Sequence, residues 1–204
     1  MPEPTIFIVD DDSAVRESLA FLIRSMSLTV ATFDSAQAFL AACDPALPGC
    51  LVLDIRMPGM SGLELQEELR RREVTLPIIF ITGHGDVAMA VRAMKGGAVD
   101  FIEKPFNDQQ LLDRINQALE LDRTARAARA EQALVAARLD LLSPREREVL
   151  ERIVAGQANK VIAIDLGLSE RTIEIHRAKV MSKTGARSLA ELVTMINRHR
   201  EGDI

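Results

Sequence analysis

Cys50-Leu51-Val52-Leu53-Asp54 is an apolar run that stops on a carboxylate, and the chain repeats that design along its first half. Thr5-Ile-Phe-Ile-Val9 runs into Asp10 and Asp11, Ile78-Ile-Phe-Ile81 into Thr82, and Val99-Asp-Phe-Ile-Glu103 into Lys104. With the run at 29–33 these make five short apolar segments of the length expected for strands buried on both faces. Between them lie helical patterns such as Val15, Leu19, Leu22, Ile23 and Met26, spaced to put one apolar face inward. Turn chemistry agrees: Ser61-Gly-Leu-Glu64 reads as a capping box, Asp86 as an N-cap and Gly96-Gly97 as a helix stop. Five strands alternating with five helices predict an α/β, doubly wound (βα)5 unit with a parallel five-stranded sheet.

In the order 2-1-3-4-5 such a sheet reverses direction between its first and third strands, and ligands bind outside the carboxyl ends at that point. Those two strands deliver Asp10, Asp11 and Asp54. Thr82 and Lys104 end the fourth and fifth, so all five side chains are expected in one crevice. Mg²⁺ (or Mn²⁺) is well served by a few carboxylates plus water and phosphate oxygens. A carboxylate there can attack phosphorus, with Lys104 neutralising the phosphate and Thr82 donating to one of its oxygens. A single Asp at a strand end is more often a turn or cap residue, and Asp10-Asp11 alone could cap the helix starting near Ser13. The coincidence of all five at the correct strand ends is what points to chemistry.

About half of the 204 residues are apolar, enough for a packed core without disulfides. No apolar run reaches eighteen residues and the start of the chain carries no signal-peptide pattern, so no membrane partner is expected. Cys43 and Cys50 form no metal-ligand pattern, and the setting expected is a reduced cytoplasm. Charge divides unevenly: residues 1–120 carry a net −8, 121–140 a net +1 and 141–204 a net +2. An acidic first part suits a cation site and a mildly basic end suits an anionic partner.

The division expected is residues 1–119 for the first domain, 120–141 for a helical linker, and 142–204 for an all-α four-helix module. The linker is rich in Ala and Arg, with Ala127, Ala130, Leu134, Ala137 and Leu141 at an a/d spacing. It reads either as a solvated helix or as a short coiled-coil seam between two chains. In the module Ser143-Pro-Arg-Glu146 is a helix start, Asn159 an expected cap, Ser169 another, and Ser188-Leu-Ala-Glu191 a further capping box. Residues 159–184 read as helix, turn at Gly167, helix. The second helix would present Glu174, Ile175 and Ala178 to base edges in a major groove of double-stranded DNA. Lys160, Ser169, Arg171, Thr172, Lys179 and Lys183 are placed to reach phosphates. A basic helix face is otherwise merely solvated.

Val9-Asp-Asp11, Asp54-Ile-Arg-Met-Pro-Gly59, Ile81-Thr82 and Lys104-Pro105 resemble the receiver domain of two-component response regulators. Leu142-Ser-Pro-Arg-Glu-Arg-Glu-Val-Leu150, Asn159-Lys160, Leu168-Ser169, Arg171-Thr172, Glu174 and His176 resemble the LuxR-type helix–turn–helix output domain. The pairing, with Thr82-Gly-His-Gly-Asp86 and Val99 to Phe106, is most similar to the FixJ subfamily. The resemblance implies a transcriptional activator phosphorylated on Asp54 by a sensor histidine kinase and working with RNA polymerase. It implies Asp10, Asp11, Asp54 and the Arg56 backbone carbonyl as metal ligands, Thr82 and Lys104 as phosphoryl binders, and Phe101 as an aromatic switch. Arg56 and His84 would flank the phosphate and prolong its lifetime, although His84 is otherwise an ordinary loop histidine. It also implies a phosphorylation-driven homodimer through the face carrying Val91, Met94, Lys95, Ala98, Val99, Phe101, Asp108, Leu111 and Leu112, continued by the linker.

Rival readings fit less well. A phosphatase of the haloacid dehalogenase type would need an acid two residues after its nucleophile, where this chain has Arg56. A small-molecule sensor in place of the receiver is disfavoured by the acidic strand ends and the absence of any Tyr or Trp. A scaffold that binds without phosphorylation differs from the preferred reading only in whether Asp54 is labelled. No turnover of an external substrate is expected beyond assistance to the phosphorylation and dephosphorylation of Asp54.

Overall fold

A computed structural model describes residues 3–44, 46–83 and 87–202; the expected cap Asp86 and the expected phosphate neighbour His84 lie outside the described residues. Two compact units divide the chain, Met1–Arg126 and Ala127–Ile204. The first contains strands β1 (Thr5–Val9), β2 (Thr29–Phe33), β3 (Gly49–Asp54), β4 (Ile78–Thr82) and β5 (Asp100–Glu103), all parallel in the order β2-β1-β3-β4-β5. Helices α1 (Ser13–Ser25), α2 (Ala36–Ala42), α3 (Gly62–Arg71) and α4 (Val87–Lys95) connect them, and α5 (Asp108–Asp140) follows β5. The expected doubly wound unit is therefore present.

Alternation along the central strands builds two cores, because successive side chains of a strand point to opposite faces. Phe7, Val9, Leu51, Leu53 and Phe80 meet Phe39 of α2 and Leu65 and Leu69 of α3 on one side. Phe39 stacks edge-on against Phe7 and Phe33, with ring centroids 5.7 and 5.4 Å apart. Ile6, Ile8, Val52, Ile79 and Ile81 meet Leu19 and Ile23 of α1 and Leu111, Leu112 and Ile115 of α5 on the other. Leu111 and Leu112, expected on an exposed dimer face, are thus core residues. The apolar stripe 111, 112, 115, 118 is the inward face of α5, and no partner chain can reach it. Val91 and Met94 do face solvent, each 46 % exposed.

Helix starts follow their caps. The Asp12 carboxylate, one residue beyond the Asp10-Asp11 doublet, accepts the Ala14 N–H at 2.8 Å and opens α1. Ser61 and Glu64 form the expected reciprocal box on α3. Directly behind them, a Cβ added to Gly62 would lie 2.3 Å from the backbone oxygen of Asp54. Glycine there lets α3 start against the end of β3.

The expected linker boundary does not coincide with a break in structure. Helix α5 is continuous for 33 residues, and the unit boundary falls inside it after Arg126. Past that point Val135 is buried, and Leu139 and Leu142 pack into the core of the second unit, so this stretch is not simply solvated. The a/d positions Ala127, Ala130, Leu134, Ala137 and Leu141 lie on the exposed side.

The second unit continues with α6 (Pro144–Val154), α7 (Asn159–Leu166), α8 (Glu170–Thr184) and α9 (Leu189–Gly202) around Val149, Ile162, Ile173, Val180, Leu192 and Ile196. Gly167 takes the left-handed conformation that turns α7 into α8. The α7 cap is Ala158 rather than Asn159, which is the first helical residue; Ala158 supplies no side-chain bond. Glu191 accepts the N–H of Arg187 rather than that of Ser188, so only half of that expected box forms. The box at Ser143 is complete, and its Glu146 is also bound by Lys183 at 2.6 Å. Lys183 and the Ser143 N–H draw the Glu146 carboxyl down to about 2.

Two expectations follow. Gly62→Ala forces a backbone clash and costs about 1–3 kcal/mol in urea unfolding, whereas Gly83→Ala, which meets nothing within 4 Å, leaves stability unchanged. Glu146 is held ionised by folding, so its contribution is present above its ordinary value near 4.5 and lost as pH falls towards about 2. An acid titration followed by circular dichroism should lose its second-unit component less steeply in Glu146→Gln than in the native chain.

Candidate functional site

β1 and β3 are neighbours in register, so the residues that end them lie side by side: Val9 pairs with Leu53, and the chains continue to Asp10 and Asp54. Asp54 pairs with Ile81 and Thr82 with Glu103, which brings Thr82 and Lys104 to the same edge. The Lys104 ammonium binds Asp10 Oδ2 at 2.8 Å and Asp54 Oδ1 at 3.1 Å, bridging the two strands. Backbone geometry fixes the other oxygens. Asp54 Oδ2 accepts the Arg56 N–H at 2.7 Å and Asp10 Oδ1 accepts the Asp12 N–H at 2.9 Å. Asp10, Asp54 and Thr82 are buried, whereas Asp11 and the Arg56 side chain are exposed. The Lys104 N–H donates to the Thr82 carbonyl at 2.7 Å, and the Lys104–Pro105 peptide is cis.

Burial raises the Asp54 carboxyl above its usual range and Asp10 pushes in the same direction, while Lys104 and the Arg56 N–H pull against them. Burial also works against the Lys104 ammonium, yet its bonds to Asp10 and Asp54 leave it above its ordinary value. The crevice therefore holds a buried carboxylate whose desolvation Lys104 only partly offsets. Among the described residues no group of three His, Cys, Asp or Glu side chains is closely enough gathered to cage a metal ion. Phe101, on β5, is half-buried against the core face shared with α3 and α4.

One contributor escapes the sequence reading. Arg16, one turn into α1, donates from Nη1 to the Asp10 carbonyl at 2.7 Å and steadies the turn that carries both strand-end acids. A basic residue six positions after the acid, on the helix that the acid's turn opens, was the available signal.

In the second unit α8 buries Ile173, Val180 and Thr184 and leaves Arg171, Glu174, Ile175 and Ala178 on one exposed stripe, with Lys179 beside it. Lys160 is exposed at the start of α7. Ser169 and Thr172 are occupied with each other: Ser169 accepts the Thr172 N–H at 3.1 Å and their hydroxyls meet at 2.8 Å. Lys183 is not on that surface in any useful sense, since its ammonium is spent on Glu146 and on the Leu141 carbonyl at 2.9 Å.

The comparisons with known proteins agree with this architecture. The response regulator receiver domain family matches residues 6–116, and the family of bacterial regulatory proteins named for luxR matches residues 140–196. The transcriptional regulatory protein FixJ of Rhizobium meliloti (strain 1021) is 50 % identical over 195 residues, covering 96 % of each chain. Nodulation protein W of Bradyrhizobium diazoefficiens is 50 % identical over 190 residues, covering 93 % of this chain and 84 % of its own. Among solved structures, the response regulator StyR matches with a TM-score of 0.90 at 49 % identity, over 97 % of this chain and 100 % of that one. Full-length FixJ from B. japonicum matches with a TM-score of 0.60 at 47 % identity, over 98 % and 99 %. With a parallel sheet that gathers its acids at one edge and a helix–turn–helix unit later in the sequence, the chain belongs to the two-component response regulators, as a transcriptional regulator that joins a receiver domain to a LuxR-type DNA-binding domain.

Proposed function

We propose that Asp54 is the phosphoacceptor of this regulator and that its phosphorylation by a sensor histidine kinase drives dimerisation and DNA binding. The observation that carries this reading is the Lys104 ammonium bridging Asp10 and Asp54 across neighbouring strands. An Asp54 oxygen displaces the imidazole nitrogen of the kinase's phosphohistidine, and the leaving nitrogen keeps the electron pair of the broken P–N bond. Lys104 and the Thr82 hydroxyl then bind phosphoryl oxygens, and the Arg56 N–H holds the attacking carboxylate in place.

Mg²⁺ or Mn²⁺ suits the donor set on chemical grounds, because every donor is a hard oxygen: Asp10, Asp11, Asp54 and the Arg56 carbonyl. Such an ion keeps several waters, so a closed cage of three side chains is not required of it. When bound, it offsets the negative charge that accumulates on the phosphoryl oxygens. This assistance to the chain's own phosphorylation and dephosphorylation is the only catalysis proposed.

Thr82 and Phe101 form the switch, and the phosphate lifetime is set in part by Arg56, which is exposed beside the site, and by His84. Output passes through the surface of α4 and β5, where Val91, Met94, Lys95, Val99 and Phe101 remain accessible. Two copies joined there bring two α8 helices to adjacent half-sites of double-stranded DNA. Glu174, Ile175 and Ala178 read base edges, while Lys160, Arg171 and Lys179 meet phosphates. The second unit carries only a small positive charge, so pairing two copies and doubling the phosphate contacts raises affinity. RNA polymerase is the downstream partner and the cytoplasm the site of action; among the described residues no helix is long and apolar enough to cross a membrane.

Acetyl phosphate with Mg²⁺ should add one phosphoryl group to Asp54, read by mass spectrometry, and beryllofluoride should double the mass seen by light scattering. Asp54→Asn should abolish both responses and the gain in DNA affinity. A chain that stays monomeric while its DNA affinity still rises would sink the dimer. A second expectation comes from the electrostatics. The folded carboxyl of Asp54 sits above its ordinary value, so its ionised form opposes folding at neutral pH and the penalty fades as pH falls. Without divalent cations, Asp54→Asn should melt higher than the native chain at pH 7, and the difference should shrink towards pH 4.

A further inference from the structure

Among the described residues the buried acids outside the Asp54 crevice are Asp122 and Glu146, and the capping box accounts for Glu146. Asp122 is 3 % exposed and lies on α5 beyond residue 116, where the receiver family match ends. Its Oδ2 accepts the Gly49 N–H at 3.0 Å, and its two oxygens receive Arg126 Nε at 2.9 and 2.8 Å. The rest of the Arg126 guanidinium turns outward from that pair. Nη1 donates to the Ala46 carbonyl at 2.9 Å and Nη2 to the Leu47 carbonyl. Two residues one turn apart on α5 therefore hold the three-residue approach to β3.

The receiving side is rigid. Gly49 has φ +151°, and a Cβ there would lie 1.9 Å from the Thr5 carbonyl oxygen, so only glycine brings its N–H to Asp122. Gly49 begins β3 and Asp54 ends it, which places this network at the opposite pole of the sheet from the phosphorylation chemistry. A buried carboxylate matched to a planar guanidinium, with the remaining donors satisfied by carbonyls, is a specific geometry that a lysine cannot reproduce.

We infer that Asp122 and Arg126 are a positioning pair that anchors the last receiver turns of α5 and so holds the helix against fraying where it leaves the receiver. Core contacts of Leu111, Leu112, Ile115 and Ala118 hold the first turns of α5, and the pair carries that support on to the point where the Ala-rich stretch of strong helix propensity begins. Signal leaves the receiver along a helix whose receiver end is fixed. This rests on the reading of Asp54 as phosphoacceptor only for its DNA arm.

The test uses the full chain as Arg126→Met, Arg126→Lys and Asp122→Asn. Amide hydrogen exchange without phosphodonor reads the clamp by itself. Arg126→Met should lose protection over residues 120–134 by about tenfold or more, with Arg126→Lys between it and the native chain. Unchanged protection beyond residue 126 overturns the anchoring claim. Asp54 labelling by acetyl phosphate should stay normal in all three variants; its loss would make the pair a support of the receiver fold and overturn the inference. The DNA arm uses a duplex selected from a random library with the phosphorylated native protein. Beryllofluoride should raise the affinity of the native chain, and the gain should fall by roughly fivefold or more in Arg126→Met. A full gain in a variant with lost protection overturns the coupling. A native chain that is neither labelled nor stimulated overturns the Asp54 reading instead, and leaves the exchange result to decide the clamp.

Discussion

The Lys104 ammonium sits between two carboxylates that would otherwise not tolerate each other, and the architecture of the first unit follows from holding it there. Two like charges a few ångströms apart repel by about 4 kcal/mol at the effective dielectric of a protein surface. Neighbouring parallel strands force Asp10 and Asp54 to that separation, and β5 returns the one cation that offsets it. The match is incomplete. Among the described residues, Asp10, Asp11 and Asp54 bring three carboxylates to the crevice, the Lys104 ammonium bridges two of them, and the Arg16 guanidinium is engaged on the Asp10 carbonyl. The Asp54 carboxyl is raised chiefly by burial, which Lys104 and the Arg56 N–H only partly offset. A site of this kind is stable enough to fold and still unsatisfied enough to bind.

How the crevice is built explains why so much of it could be read in advance. Strand ends are marked by a change from apolar to polar residues, and parallel connectivity sends every carboxyl end to the same edge. Asp10, Asp11, Asp54, Thr82 and Lys104 are therefore visible without coordinates. Capping boxes at Ser61 and Ser143 are equally local, since each satisfies donors within one turn. Misjudged or missed residues depend on partners far along the chain. Lys183 looks like a phosphate contact until Glu146, 37 positions away, claims it. Asp122 looks like a solvated helix charge until Gly49, 73 positions away, buries it. Leu111 and Leu112 are a different failure. Their spacing with Ile115 and Ala118 already marked them as the inward stripe, and assigning them to an exposed face let resemblance override periodicity.

Arg56 separates a signalling site from a hydrolytic one. A hydrolase that passes through an aspartyl phosphate needs a second acid near the nucleophile to protonate the leaving group and activate water. Here the residue two beyond Asp54 offers its N–H to the carboxylate and turns an exposed guanidinium outward. It stabilises the nucleophile and lends no base. On the proposed mechanism, a phosphoryl group on Asp54 meets a site equipped to hold it and poorly equipped to discharge it, as a stored signal requires.

The energetics of output fit that economy. The DNA-binding unit carries eleven basic residues against nine acidic ones from residue 141 onward, so its electrostatic attraction to DNA is small. Much of the positive charge is also spent internally. Lys183 serves Glu146, Arg145 pairs with Glu148, and Arg152 pairs with Asp165. On the proposed mechanism one copy binds weakly, and joining two copies makes the second contact intramolecular, which can multiply affinity by a factor on the order of 10²–10⁴ without new protein–DNA contacts. On the proposed mechanism phosphorylation need not remodel the recognition helix. It has only to change how often two receivers meet. A coupling of about 1–3 kcal/mol, the usual scale for such linkage, is then sufficient to convert a modification at Asp54 into occupancy of DNA.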